Sequence, residues 1–258
     1  MNRATFAFPV AMLLLASACD KKDSPAPAAP ETSAHAASAA PKPAAMPAAP
    51  VTGARLTIAS VKSAFLIDAP LEKIKGTSEE GKGELSVDPM DLTKSRGEVS
   101  IRLTALHTAT FGDKSKDASQ TEHAHNWMEI GPESSPENKV KYEYAKLTIK
   151  SVETATPKLA DVKEDGGART FKAKVTGDLW IHGVTSPKTV AVTVTVKGPA
   201  DAPTEVTVKT DEPMAVSMKE HGIAPHDKLG GFLAGALEKI GKKIDDKVQV
   251  SFEATAKK

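Results

Sequence analysis

The stretch GDLWIHGVTSPKTVAVTVTV, Gly177 to Val196, sets Val190, Val192, Val194 and Val196 on one parity and Thr189, Ala191, Thr193 and Thr195 on the other. Successive side chains of a strand point to opposite faces, so the valines form one apolar wall while the threonines meet water or another layer. That wall needs a cover. The cover is either a second packed sheet or the far side of a closed barrel whose lumen holds a guest, and these residues alone leave both open.

The same alternation recurs along the chain in runs separated by Gly, Pro, Asn or Asp, the pattern of many antiparallel strands. It predicts strands near 55–67, 83–88, 97–107, 140–152, 169–182, 188–197, 204–209, 213–218 and 247–255. Phe65 with Ile67, Val99 with Ile101 and Leu103, Leu147 with Ile149, Leu179 with Ile181, and Val248 with Val250 and Phe252 each share one parity, which assigns them to inward faces. Turns are expected at EEGKG (79–83), DGG (165–167) and GVTSP (183–187), where glycine admits positive φ and proline presets a turn dihedral. One segment breaks the rhythm. In Asp227 to Ile244 the apolar residues Leu229, Phe232, Leu233, Ala236, Leu237, Ile240 and Ile244 fall at helical spacing behind Asp227 as N-cap. The spacing predicts an amphipathic helix just before the last strand, either packed on the core or plugging a barrel mouth.

The first residues read Met1-Asn2-Arg3, then an apolar run Ala4 to Leu15, then small residues up to Cys19. A charged start, a short apolar core and a small-residue close are the signature of a secretory leader, here 1–18, too short to span a bilayer. Cys19 is the only cysteine, so the mature chain has no internal disulfide to form despite an oxidising destination. Beyond it, 19–53 is mostly Ala and Pro, a composition that buries no core and favours extended chain. At about 3.1 Å per residue such a tether reaches on the order of 90 Å. Residues 54–258 remain as one domain of ordinary size.

The balance of 34 Lys and Arg against 33 Asp and Glu supplies no net field for nucleic acid, and the lysines are spread along the chain as on a solvated surface. No Gly-x-Ser-x-Gly elbow, P-loop, His-Glu-x-x-His helix or paired-cysteine motif is present, so an enzyme is not expected and no cofactor is called for. The best metal candidate is EHAHNW, where an extended segment would set His123 and His125 on one face. Two ligands are too few, although His221 and His226 stand elsewhere in the chain. Trp127 and Trp180 are expected to pack with their indole N–H groups satisfied.

Three stretches, in order, resemble the YceI-like lipid or polyisoprenoid-binding domains. SVKSAFLIDAPLEKIKG (Ser60–Gly76) is similar to that family's first strand and closing glycine. GKGELSVDPMDLTKSRGEVSIRL (Gly81–Leu103) resembles its Asp-Pro motif and following strand, and GDLWIHGVTSPKTVAV (Gly177–Val192) its strand and turn with Gly-Val-x-x-Pro. Two stretches depart from the family pattern: HNWMEIG (125–131) in place of a polar-Phe-Phe-Asp run, and KEHGIAP (219–225) in place of Arg-Asp-Phe-Gly-Ile.

The resemblance implies a lipocalin-like antiparallel β-barrel of about eight strands, covering about 55–255, that encloses a long apolar lipid such as an isoprenoid quinone, polyprenyl compound or fatty amide without transforming it. It implies a lumen lined by Phe65, Ile67, Leu85, Ile101, Leu103, Leu147, Ile149, Leu179, Ile181, Val192, Val194, Val250 and Phe252. LASAC (15–19) resembles a bacterial lipobox, which implies acylation of Cys19 and a membrane-anchored lipoprotein of the bacterial envelope facing the periplasm. More than one acyl chain is needed for stable anchoring. An envelope interaction module with a filled β core, and a metal-dependent envelope enzyme, are the competing expectations.

Overall fold

The computed structural model describes residues 53–68, 73–223 and 246–258. The leader, Cys19, nearly all of the Ala/Pro tether and the 227–244 segment expected to be a helix lie outside the described residues.

The described strands are β1 (Ala54–Asp68), β2 (Lys73–Ser78), β3 (Gly81–Val87), β4 (Arg96–Arg102), β5 (His107–Thr108), β6 (Tyr144–Thr154), β7 (Glu164–Asp165), β8 (Ala168–Ile181), β9 (Val184–Lys197), β10 (Glu205–Thr210), β11 (Met214–Ser217) and β12 (Lys247–Lys257). All pairings are antiparallel. Eight of these strands close into a ring in the order β1, β3, β4, β6, β8, β9, β10, β12, with β12 returning to β1 from Thr57↔Lys257 to Ile67↔Val248. The second half of β1 pairs with β2 instead of β3, and β11 takes the place of β10 beside the start of β12. The protein is thus an all-β antiparallel barrel. Its closure answers the question set by the valines: the far wall of the same sheet covers them.

Val190, Val192, Val194 and Val196 are buried in one core with Leu56, Val61, Leu85, Val206 and Ala254. The threonines of the opposite parity face outward and meet across strands, Thr170 with Thr195 at 3.1 Å and Thr176 with Thr189 at 2.9 Å, pairs of the kind that stabilise a sheet's polar face. Two irregularities keep apolar side chains pointing inward around the curve. A register shift against β12 between Ile58 and Ser60 moves the buried positions of β1 from Leu56 and Ile58 to Val61 and Ile67. Another, between Ile149 and Ser151, moves those of β6 from Leu147 to the opposite parity at Val152, which packs on the same core. Bulges of this kind bend a strand and increase its twist, as barrel closure requires.

Three boundaries differ from the sequence expectation. The strand expected over 97–107 ends at Arg102, and a single 3-10 turn, Leu103–Ala105, carries the chain inward. The run 140–152 starts as a strand only at Tyr144, because Ser135 accepts from the Asn138 N–H and Pro136 opens a short helix, α2 (Pro136–Lys141). The hairpin turn expected over 183–187 is only His182-Gly183, with φ of 48° and 83°, a two-residue connection in which both central residues take positive φ. Pro187 then lies inside β9, opposite Asp178. It is tolerated there because β10 covers β9 only from Val192 onward, which among the described residues leaves an unpaired edge for a residue without an N–H.

At the end where β1 begins, the loops after β3 and β6 lash together, Leu92 N–H donating to Pro157 O at 2.7 Å and Leu159 N–H to Pro89 O at 2.9 Å. Leu92 and Leu159 plug that end, and Leu159 is fully buried. Replacing it should leave a cavity that the crossed loops cannot collapse. We expect Leu159→Ala to lower stability by about 2–5 kcal/mol, read from urea unfolding; a loss below about 1 kcal/mol would show that the plug does not carry this end.

Candidate functional site

The opposite end is built differently. Between β5 and β6 the chain forms α1 (Lys114–Trp127), which Asp113 caps by accepting from the Ser115 and Lys116 N–H groups. Thr108 fastens the helix, its N–H donating to Thr121 Oγ1 and its hydroxyl to Asp117 O. Gln120, His123, Ala124, Trp127 and Met128, from α1 and its C-cap, then face Ile67, Ile101, Ala145, Val216 and Val248 of the barrel across a gap.

That gap is a cavity of about 270 Å³, close to the lower bound of ordinary small-molecule sites. Its lining is aliphatic and aromatic apart from Ser63, Gln120 and His123. Deeper in, a space of about 60 Å³ bordered by Val99, Leu147, Leu179, Met214 and Phe252 shares Ile101, Ile181 and Val250 with the large cavity. A third, of about 70 Å³, lies under the plugged end and shares Val99, Leu147 and Phe252 with the second. The three therefore follow one another along the barrel interior. The lumen is wide at the α1 end and nearly filled at the other.

Of the residues expected in a lumen, Phe65, Ile67, Ile101, Leu103, Ile181 and Val250 line the wide cavity. Leu179 borders the intermediate space, with Leu147 and Phe252 between it and the deep one. Leu85, Ile149, Val192 and Val194 line the deep space. Val192 is fully buried, so that part of the wall packs mainly against protein. The α1 residues were missed from sequence because the helix carries no buried side chain and presents no apolar stripe.

The same helix corrects the metal reading. His123 and His125 were set on one face by an extended chain, but residues two apart on a helix point to different faces. His123 lines the cavity, whereas His125 Nε2 meets Leu106 O at 2.9 Å. No group of three His, Cys, Asp or Glu side chains fit to hold a metal occurs among the described residues. Trp127 departs from expectation too: its Nε1 is enclosed without a hydrogen-bond partner.

The wall of this end has a seam. The stretch of β9 before Val192 has no second strand partner among the described residues, and β11 pairs only with β12. His221, fully buried, bridges the gap, its Nε2 lying 3.2 Å from Ser186 Oγ and its Nδ1 3.2 Å from Ile181 O. Lys188 meets Glu220 at 3.2 Å just outside. Beside it His182 Nδ1 lies 3.0 Å from His221 O, with the ring stacked at a tilt on Tyr142. Both stretches in which this chain departs from the resembled pattern thus sit here: Trp127 and Met128 in the cavity lining, and His221 in the seam.

An eight-stranded antiparallel ring around an apolar interior space defines a class of small β-barrels with interior binding room. The chain matches the YceI-like domain over residues 57–256 and belongs to that family. Among solved structures it is similar to a polyisoprenoid binding domain from Saccharophagus degradans implicated in plant cell wall breakdown, at 13% identity and a TM-score of 0.50, covering 80% of this chain and 98% of that one. BcnA of Burkholderia cenocepacia matches at 16% identity and a TM-score of 0.48, with 76% and 96% covered. Compared with curated protein sequences, the chain matches none. At these identities the structural likeness concerns the fold.

Burial holds the pKa of His125 below its ordinary 6.5, against an opposing pull from the Leu106 and Leu103 carbonyls. The unfolded chain therefore takes up this proton at higher pH than the folded one. The contribution is complete above about pH 6.5 and is lost as pH falls from there toward the lowered folded value. We expect His125→Gln, which can still donate to Leu106 O, to flatten the fall in urea midpoint between about pH 7 and pH 5; an unchanged slope would assign that fall to other groups.

Proposed function

We propose that this protein binds or carries a long apolar lipid, with the hydrocarbon tail in the wide cavity against α1 and its leading end directed along the barrel interior. The observation that carries the reading is the cavity of about 270 Å³, which adjoins the second space through shared wall residues as that one adjoins the third, and which is lined almost wholly by apolar side chains. Removing apolar surface from water contributes roughly 25 cal/mol per Å², so such a lining favours a guest without needing many polar contacts. The family membership and the polyisoprenoid binding domain among the structural relatives support an isoprenoid as the guest. Binding without chemical transformation fits a site whose polar residues are few and dispersed.

In the same proposal, Cys19 is acylated after removal of 1–18, and the Ala/Pro segment to residue 53 tethers the barrel to a membrane of the bacterial envelope, on its periplasmic side. The support is the leader and lipobox pattern alone. Mass spectrometry of the intact chain from its native host reads this directly: cleavage before Cys19 with added acyl mass is expected, and an unmodified Cys19 would remove the anchor.

The guest is tested by native mass spectrometry of the same preparation. A co-purifying lipid is expected, and a chain empty in every preparation and indifferent to added polyprenols or prenylated quinones would overturn the reading. Ala124→Phe, which projects a ring from α1 into the cavity, should reduce the lipid-bound fraction about tenfold, the order expected when a site of this size is filled. Thermal unfolding of the variant should stay near that of the parent protein, because the ring enters empty space.

A further inference from the structure

The two ends of the barrel differ on the outside as well as within. The chain contains two Trp and two Tyr, and all four lie toward the cavity end: Trp127 closing α1, Tyr142 after α2, Tyr144 at the start of β6 and Trp180 near the end of β8. Three of them lie beneath a lysine amine: Lys82 is 4.0 Å from the Tyr144 ring centroid, Lys141 5.0 Å from Tyr142 and Lys146 5.7 Å from Trp180. Of the four large apolar side chains exposed among the described residues, three also project at this end, from separate segments. Val140 on α2 is 78% exposed, Phe111 before α1 is 43% exposed and Val184 after the β8–β9 turn is 36% exposed. Only Met90 projects at the plugged end.

We propose that the cavity end docks on the surface of a lipid bilayer, with Phe111, Val140 and Val184 entering the boundary between headgroups and acyl chains. Tyr144 and Trp180, of opposite parity to the buried Ala145 and Leu179 and each with an apolar body and a polar edge, and lysines whose stems lie along apolar surface, are the residues that suit that boundary. Separate apolar tips suit a fluid layer better than a protein partner, since a specific protein interface buries about 1,000 Å² or more over the two partners together. Among the described residues the lysines are interleaved with Asp113, Asp117, Glu122, Glu137 and Glu143, which give this end no single-sign field, and the attachment rests on apolar insertion. A guest leaving the wide cavity would then pass from apolar lining to acyl chains without crossing bulk water.

β1 begins at the plugged end, so the chain upstream of Gly53 joins the barrel away from the docking face. Fifteen strand residues at about 3.3 Å each span at most about 50 Å. The proposed tether, with its reach of on the order of 90 Å, is long enough for the barrel to dock cavity-first on the membrane that anchors it. Docking does not depend on the identity of the guest.

The test uses the full-length chain with phosphatidylcholine vesicles carrying brominated acyl chains as a shallow quencher of tryptophan fluorescence. We expect quenching and a blue shift that change little with salt. The pair Val140→Glu and Val184→Glu, neither of which lines the cavity, should lower vesicle association about tenfold, the order expected for withdrawing two valines from the boundary. Near-UV circular dichroism and uptake of a prenylated quinone from detergent micelles should be unchanged. If the pair does not fold, Val140→Glu alone serves, since that side chain is almost fully solvated. Absence of quenching in the parent chain, or equal quenching in the variant, overturns docking. A self-association of the chain alone that the variant abolishes, without vesicle contact, would overturn it in favour of a second copy. Uptake from micelles without docking would remove only this inference, whereas docking without any uptake would remove only the lipid-binding function.

Discussion

The structure depends on the pairing of β1 with β12, the first and last strands of the domain, along most of their lengths. Without that pairing, the chain would be an open curled sheet with two long free edges, which proteins otherwise have to shield with charge, proline or covering elements. With it, most of each edge is paired, the stretch of β9 before Val192 excepted among the described residues, and the apolar faces of eight strands look across a common interior. The bulges in β1 and β6 belong to the same constraint, because a strand that must bend around the ring keeps one face inward only by skipping a residue.

Closure alone does not create a site. An eight-stranded ring is just wide enough for its interior to be filled by side chains or to hold one slender guest, and this protein does both. At the end where β1 starts, Leu92 and Leu159 are driven inward by loops that hydrogen-bond to each other, and the β9 valines pack against Val206 and Ala254. At the other end, the loops among the described residues leave the wide cavity between them, with Leu103 and Leu106 in its wall. The cover there is α1, a helix with polar residues on most faces, held by its caps and by Thr108 more than by burial, and it lies over the lumen without filling it. The same end carries the seam bridged by His221 and Ser186, where side chains meet across a stretch of β9 that no second described strand pairs.

Much of the barrel was legible because period-two alternation survives in a sheet with one dry face and one wet face: the valines of β9 and the Val248, Val250 and Phe252 parity of β12 read directly. The failures have separate causes. KSKDASQTEHAHNW forms a helix by capping and local hydrogen bonds, with no apolar period to announce it, so the two histidines were placed on one face of a strand that does not exist. β2 was overlooked because KIKGTS offers one large apolar residue, and it pairs only because β1 outruns β3. Pro187 was read as turn chemistry, whereas an edge of β9 that no described strand pairs lets it sit within the strand.

By itself, then, the sequence determined that this chain makes antiparallel strands with one aliphatic face, and through ordered motifs it pointed to a family, because side-chain alternation and turn residues are local properties. Whether those faces would press together or surround space was decided only in three dimensions. It turned on the pairing of residues nearly two hundred positions apart, on bulges that no local pattern marks, and on which loops enter the lumen. The cavity is the volume left between β1, β4, β12 and α1 once those long-range contacts are made, and no single segment encodes it.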